Sequence, residues 1–209
     1  MDGNIHAAAG GAAGLAVAYY TGADIPVAVT YVLLGGFSGL APDLDVNGAL
    51  AHKITLSKKW LHLLLGLGGV LLILYCLQAE SGSSRWIGIG LGGALLLVPG
   101  IAIKQKTMLL FTGIAIVAAG IYMSEIWMVL LGVFIGASSF LPHRSLTHSL
   151  IGLGYYGLIG YYLQQSLQLP GVMHVCLYAY ASHLILDMKW IPGNKRGVRL
   201  LQPFSRLEI

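Results

Sequence analysis

The sequence predicts an all-α, polytopic transmembrane bundle of about eight helices, forming one integral membrane domain over residues 1–209. Three observations predict it. First, 56% of the residues are hydrophobic and only 10% are charged, whereas a soluble domain carries about 25% charged residues. Too few charges remain to cover a water-facing surface. Second, apolar segments recur along the chain, most of them near the ~20 residues that a spanning helix needs. Third, the basic residues fall almost wholly on one side of the resulting map, as cytoplasmic loops require.

The segments run over about residues 5–20, 25–41, 60–78, 86–102, 107–123, 125–141, 146–164 and 171–191. The first is short and rich in Ala and Gly, which suits a partly inserted or protein-buried helix. Residues 1–5 contain Asp2 and no Lys or Arg, so the positive start of a cleavable signal is missing and this segment is expected to stay in the mature protein. Breaks fall at residues 21–24, 81–84, 104–106 and 169–171, where Gly, Ser, Lys or Pro interrupt the apolar pattern. Pairs such as Gly10/Gly14, Gly35/Gly39, Gly88/Gly92 and Gly132/Gly136 have the spacing that lets helix backbones approach closely. They read as packing.

Eleven of the twelve basic residues, all but Arg85, fall on the side of the two termini in this eight-span map. The positive-inside rule then puts both termini in the cytoplasm. Asp24, Glu80 and Glu125 fall on the opposite side, and Trp60, Trp86, Trp127 and Trp190 sit near segment ends as interfacial aromatics do. The net charge of +4 is thus accounted for by topology, and no direct nucleic-acid partner is expected. Cys76 and Cys176 stand inside apolar runs with no CxxC spacing, so they read as small buried residues and not as thiolate ligands.

Chemistry-bearing side chains gather at the cytoplasmic segment ends: His6, Asp43, Asp45, His52, His143, His148, His183 and Asp187. His183 and Asp187 are four apart and share one helix face. An unpaired Asp in a spanning helix costs about 2.5–3.5 kcal/mol, so Asp187 should have a partner and a purpose. Neutral imidazoles with carboxylates form the mixed set that zinc and similar ions accept. His52 reads equally as a ligand or as a loop residue beside Lys53. His62 and His174 read as interfacial polar residues. A weak internal echo relates Gly36 to Asp43 with Gly136 to His143: each ends a helix in Gly-x-Ser, then Pro, then a metal-capable side chain.

Ile5-His6, the run Ala41 to Asp45, the block His143 to Ser149, Ser182-His183 with Asp187, and the tail Gly197 to Ser205 resemble the YdjM-type membrane-bound metal-dependent hydrolases. That family is also described as LexA-binding and inner-membrane-associated. The matching elements span both ends of the chain in order; the His143-Arg144 to Thr147-His148-Ser149 block is the most specific, and residues 60–140 add little. The family is in turn distantly similar to the zinc-dependent phospholipase C and single-strand nuclease superfamily. The resemblance implies a bacterial inner-membrane location and metal ligands drawn from His6, Asp43, Asp45, His143, His148, His183 and Asp187. Two departures from the superfamily, no N-terminal Trp and no Asp between His143 and His148, set the expectation at one or two ions, zinc first.

Zinc lowers the pKa of a coordinated water from 15.7 to about 7, which makes hydrolysis accessible at neutral pH. Asp45 or Asp43 would accept the proton, and Arg144 would meet a phosphate through its planar fork. A site at headgroup level points to a lipid or lipid-linked phosphoester. The competing class is a non-catalytic membrane regulator or partner-binding protein with a structural ion. A transporter ranks last, because its polar residues would lie near the midplane.

Overall fold

The computed structural model describes residues 3–44, 58–102, 105–142, 145–192, 194, 197–205 and 207–209, and among these described residues it has eight α-helices and two 3₁₀ turns. There is no strand among the described residues. The helices are α1 (Gly3–Thr21), α2 (Ile25–Ser38), α3 (Lys58–Ala79), α4 (Gly82–Ala102), α5 (Gln105–Met123), α6 (Ile126–Ser138), α7 (Leu150–Leu167) and α8 (Val172–Leu186); the turns are Ala41–Asp43 and Leu146–His148.

Several segments are shorter than the apolar pattern suggested, for local reasons. Asp24 caps α2 by accepting from Val27 N–H at 3.1 Å, and Pro26 occupies the first turn, where its missing N–H costs nothing. The helix ends at Ser38, not near 41: its last amides tighten to i→i−3 bonds, and Pro42 has no amide hydrogen to continue it. Pro142 follows α6 in the same way. Residues 146–148 form a 3₁₀ turn and not the first turn of α7, which starts at Leu150 under a cap from Ser149, whose Oγ accepts from Gly152 N–H at 3.3 Å.

By length and composition one helix among the described residues, α5, can cross a membrane, over Lys106–Met123. Shorter apolar helical stretches cover Ile25–Ser38, Leu65–Ala79, Ile126–Ser138 and Val172–Leu186. The 14-residue α2 is about 21 Å long at 1.5 Å per residue, against a hydrocarbon core of ~30 Å.

Helices α1, α2, α7 and α8 pack around the site: α1 lies on α2, α8 contacts α1, α2 and α7, and α6 joins through α7. Helices α5 and α6 form one hairpin, and α3 and α4 another. Glycine seams set these approaches. A Cβ on Gly113 would lie 2.6 Å from Gly136 N, and one on Gly39 would lie 2.5 Å from His6 O. The core between these helices holds Tyr31, Tyr156, Val172, Val175, Cys176 and Tyr180. Cys76 and Cys176 are free and buried.

The C-terminal tail returns to the end of the bundle where α7 starts and α8 stops. Leu150 N–H donates to Leu200 O at 2.9 Å, Lys189 N–H to Ile209 O at 3.1 Å, and Val198 and Ile209 exchange backbone bonds at 3.1 and 3.0 Å. Val198 is fully buried. This places the Gly197 to Ser205 motif beside the other motif elements.

Candidate metal centre

Five side chains from four parts of the chain meet at one end of the bundle. His6 comes from the first turns of α1, Asp43 from the turn after α2, and His148 from the turn before α7. His183 lies in the last turn of α8, with Asp187 at its C-cap. Because α1 and α7 begin at this end while α2 and α8 finish here, residues far apart in sequence share one location. His6, His148, His183 and Asp187 are buried, and the Asp43 side chain is 16% exposed.

Their polar atoms are spaced as ligands around an ion. His148 Nε2 lies 3.3 Å from His183 Nε2, 3.5 Å from Asp43 Oδ1 and 3.8 Å from Asp187 Oδ2. His183 Nε2 lies 3.7 Å from both Asp43 Oδ1 and Asp187 Oδ2. These are five of the six edges of a tetrahedron. Zinc bonds of about 2.0–2.1 Å at tetrahedral angles put neighbouring ligand atoms about 3.3 Å apart. Those five separations lie near that value, while Asp43 and Asp187 belong to different candidate groups that share His183.

The second oxygen of Asp187 faces another imidazole: Oδ1 lies 3.3 Å from His6 Nε2. The His6 ring stacks on His183 with centroids 3.8 Å apart and planes at 24°. His6 Nδ1 is buried and has no hydrogen-bond partner among the described residues. Buried polar atoms without partners are rare and point to a missing ion or water. Two overlapping groups result, one of Asp43, His148 and His183 and one of His6, His183 and Asp187. The donor set fits one or two divalent ions.

Partners outside this cluster orient it. His183 Nδ1 lies 2.7 Å from Gly39 O. A carbonyl only accepts, so Nδ1 carries the proton and Nε2 presents its lone pair to the cluster, the tautomer that metal-ligating histidines adopt. Thr147 Oγ1 contacts His148 Nδ1 at 3.2 Å. Tyr180 Oη donates to Thr147 O, one residue before His148. Tyr156 Oη donates to Ser38 Oγ at 3.2 Å, next to Gly39. Burial raises the cost of ionising Asp43, but the hydrogen bond with His148 and electrostatic attraction to the His183 and His148 rings outweigh it. Its carboxyl is held below the usual carboxylate range.

Of the residues expected as ligands, the structure brings together His6, Asp43, His148, His183 and Asp187. Asp45, His52, His143 and Arg144 lie outside the described residues. His174 is exposed on α8, toward the opposite end, with its ring 5.9 Å from that of Tyr178. His62 lies on α3, which packs mainly on α4. Sequence reasoning did not identify Gly39, Thr147, Tyr156 or Tyr180 as parts of the site. Gly39 was visible only as a packing glycine. Tyr180 carried a usable signal: it stands three residues before His183, on the same helix face.

Neither a curated protein nor a solved structure matches the chain. One family does, over its entire length. With residues 1–209 matching, the chain belongs to the YdjM inner membrane protein family.

Proposed function

We propose that the protein is a membrane-embedded, metal-dependent hydrolase that cleaves a phosphoester of a lipid or lipid-linked substrate at the cytoplasmic interface, with both termini in the cytoplasm. One observation carries the reading: carboxylate oxygens of Asp43 and Asp187 each lie 3.5–3.8 Å from the Nε2 atoms of His148 and His183, which are themselves 3.3 Å apart. Those residues would hold one ion, and His6 with the second oxygen of Asp187 would help to hold another. Zinc suits this imidazole and carboxylate set best. The ion supplies Lewis acidity and makes water a nucleophile near neutral pH.

The chain's own groups supply the rest. Asp43 is the least buried of the five, so its side of the cluster is where substrate reaches the centre. Asp45, two residues on, is proposed as proton acceptor. Arg144, four residues before His148, is proposed to clamp the phosphate through two parallel N–H bonds.

Burial of four of the five side chains favours a second reading, a closed structural ion in a non-catalytic regulator, since structural zinc sites are closed and catalytic ones keep an open position. A release assay separates the two. Purified protein in micelles or vesicles is given phospholipids and polyprenyl phosphates, with and without chelator. Chelator-sensitive release is expected. Metal-loaded, folded protein that releases none of them would leave the regulator reading.

A further inference from the structure

An apolar cleft of about 160 Å³ opens between α6 and α7, beside the turn that carries His148. Val133, Phe134, Ala137, Thr147, Ile151 and Tyr155 form much of its wall. We propose that this cleft holds one acyl chain of a glycerophospholipid substrate whose phosphoester lies at the neighbouring metal centre. The proposal rests on the hydrolase reading for the identity of its ligand.

The wall selects hydrocarbon because every side-chain hydroxyl in it is engaged elsewhere. Ser138 Oγ donates to Phe134 O at 2.7 Å, and Tyr155 Oη donates to Leu130 O at 3.0 Å. Thr147 Oγ1 is turned to His148 Nδ1 at 3.2 Å. Among the described residues, no charged side chain lines the cleft. A sugar, a phosphate or a water entering it would give up hydrogen bonds without replacement, whereas a methylene chain gives up none. Size agrees: a comparable engineered cavity of ~150 Å³ accepts benzene, so this one takes about a six-carbon length of chain.

Position joins the cleft to the cluster. Thr147 both walls the cleft and touches the His148 ring, so a chain seated there ends beside a candidate ligand. At the rim, Val133, Ala137 and Ile151 are exposed on the outer faces of α6 and α7. In a bilayer those faces meet lipid, so the cleft opens sideways into acyl chains and not into water. Entry from that side argues for the acyl chain, the bulk component of the bilayer, over a rarer isoprenyl chain.

The test uses the full chain in vesicles of phosphatidylethanolamine and phosphatidylglycerol, with a phosphatidylglycerol that carries a photoreactive diazirine on its acyl chain. Crosslinks should concentrate within residues 133–155, with or without chelator. Ala137→Phe, which fills the rim from an exposed position, should reduce them by about tenfold or more. Val29→Phe, on the outer face of α2, should leave them unchanged. Val133→Phe serves as the second filling variant should Ala137→Phe misfold. Labelling spread evenly over the outward faces of all helices would overturn the proposal, as would labelling only by a polyprenyl phosphate probe. Because labelling is read without turnover, it can succeed where hydrolysis fails, and the two failures remain distinguishable.

Discussion

The Nδ1–H of His183 donates to the carbonyl oxygen of Gly39 at 2.7 Å, across 144 residues of sequence. Gly39 acts on His6 as well, because a Cβ there would lie 2.5 Å from His6 O. One small residue at the end of α2 thus fixes the tautomer of one imidazole and admits the backbone that carries another. The two rings then stack, with centroids 3.8 Å apart. The glycine seam between α1 and α2 is part of the site's construction as well as of helix packing.

Gly39→Ala should therefore damage the cluster as well as the packing. The new methyl group meets backbone, which cannot rotate away, so α1 must move off α2. Overpacking of this kind costs about 1–3 kcal/mol. Thermal unfolding in detergent should shift down, and bound metal should fall with it. Unchanged metal content would show that His6 and His183 do not depend on this contact.

Tyr180→Phe keeps the ring and removes only the donor to Thr147 O. The stranded buried carbonyl should cost about 1–3 kcal/mol. Metal affinity should fall as well, because Thr147 O belongs to the turn that carries His148. Competitive titration against a zinc indicator reads the affinity apart from the stability. A destabilised variant with wild-type affinity would make Tyr180 a packing residue only.

Much of this arrangement was legible in the sequence because membranes make polar residues expensive. Asp187 inside an apolar run, one turn after His183, demanded a partner; the structure supplies His6 at 3.3 Å. Pro42 and Pro142 marked helix ends, although α2 and α6 stop a few residues earlier than the apolar pattern suggested. The turn at Leu146–His148 was hidden, since those residues continue an apolar segment and only Ser149 signals a cap. The Gly39 carbonyl was invisible, because a backbone oxygen leaves no trace in residue type. Tyr180 was masked by the many other aromatics of the helices.

The proposed orientation is open to cysteine labelling. In a background lacking Cys76 and Cys176, single cysteines at Ser83 and Ser124 should react with an impermeant maleimide on intact cells. Cysteines at Ser57 and Ser205 should react only once the membrane is opened. Labelling of Ser57 or Ser205 from outside would turn the cluster to the other face and change the substrate pool.

Arg144→Lys should lower phosphoester turnover more than it lowers stability. Lysine keeps the charge but loses the bidentate fork. Asp45→Asn should abolish turnover with metal still bound, if Asp45 takes the proton. Turnover and metal content measured on the same preparations decide both. Metal lost from Asp45→Asn would make that residue a ligand, and normal turnover in Arg144→Lys would remove the clamp.

The most direct test of the account is the metal content of protein purified without chelator, measured by elemental mass spectrometry. About one or two transition-metal ions per chain are expected, zinc foremost. Replacing His183 or Asp187 with Ala should reduce that number, and replacing His62 or His174 should leave it unchanged. Folded wild-type protein that carries no metal and rebinds none would contradict the account, and the convergence of His6, Asp43, His148, His183 and Asp187 would then be a structural polar cluster.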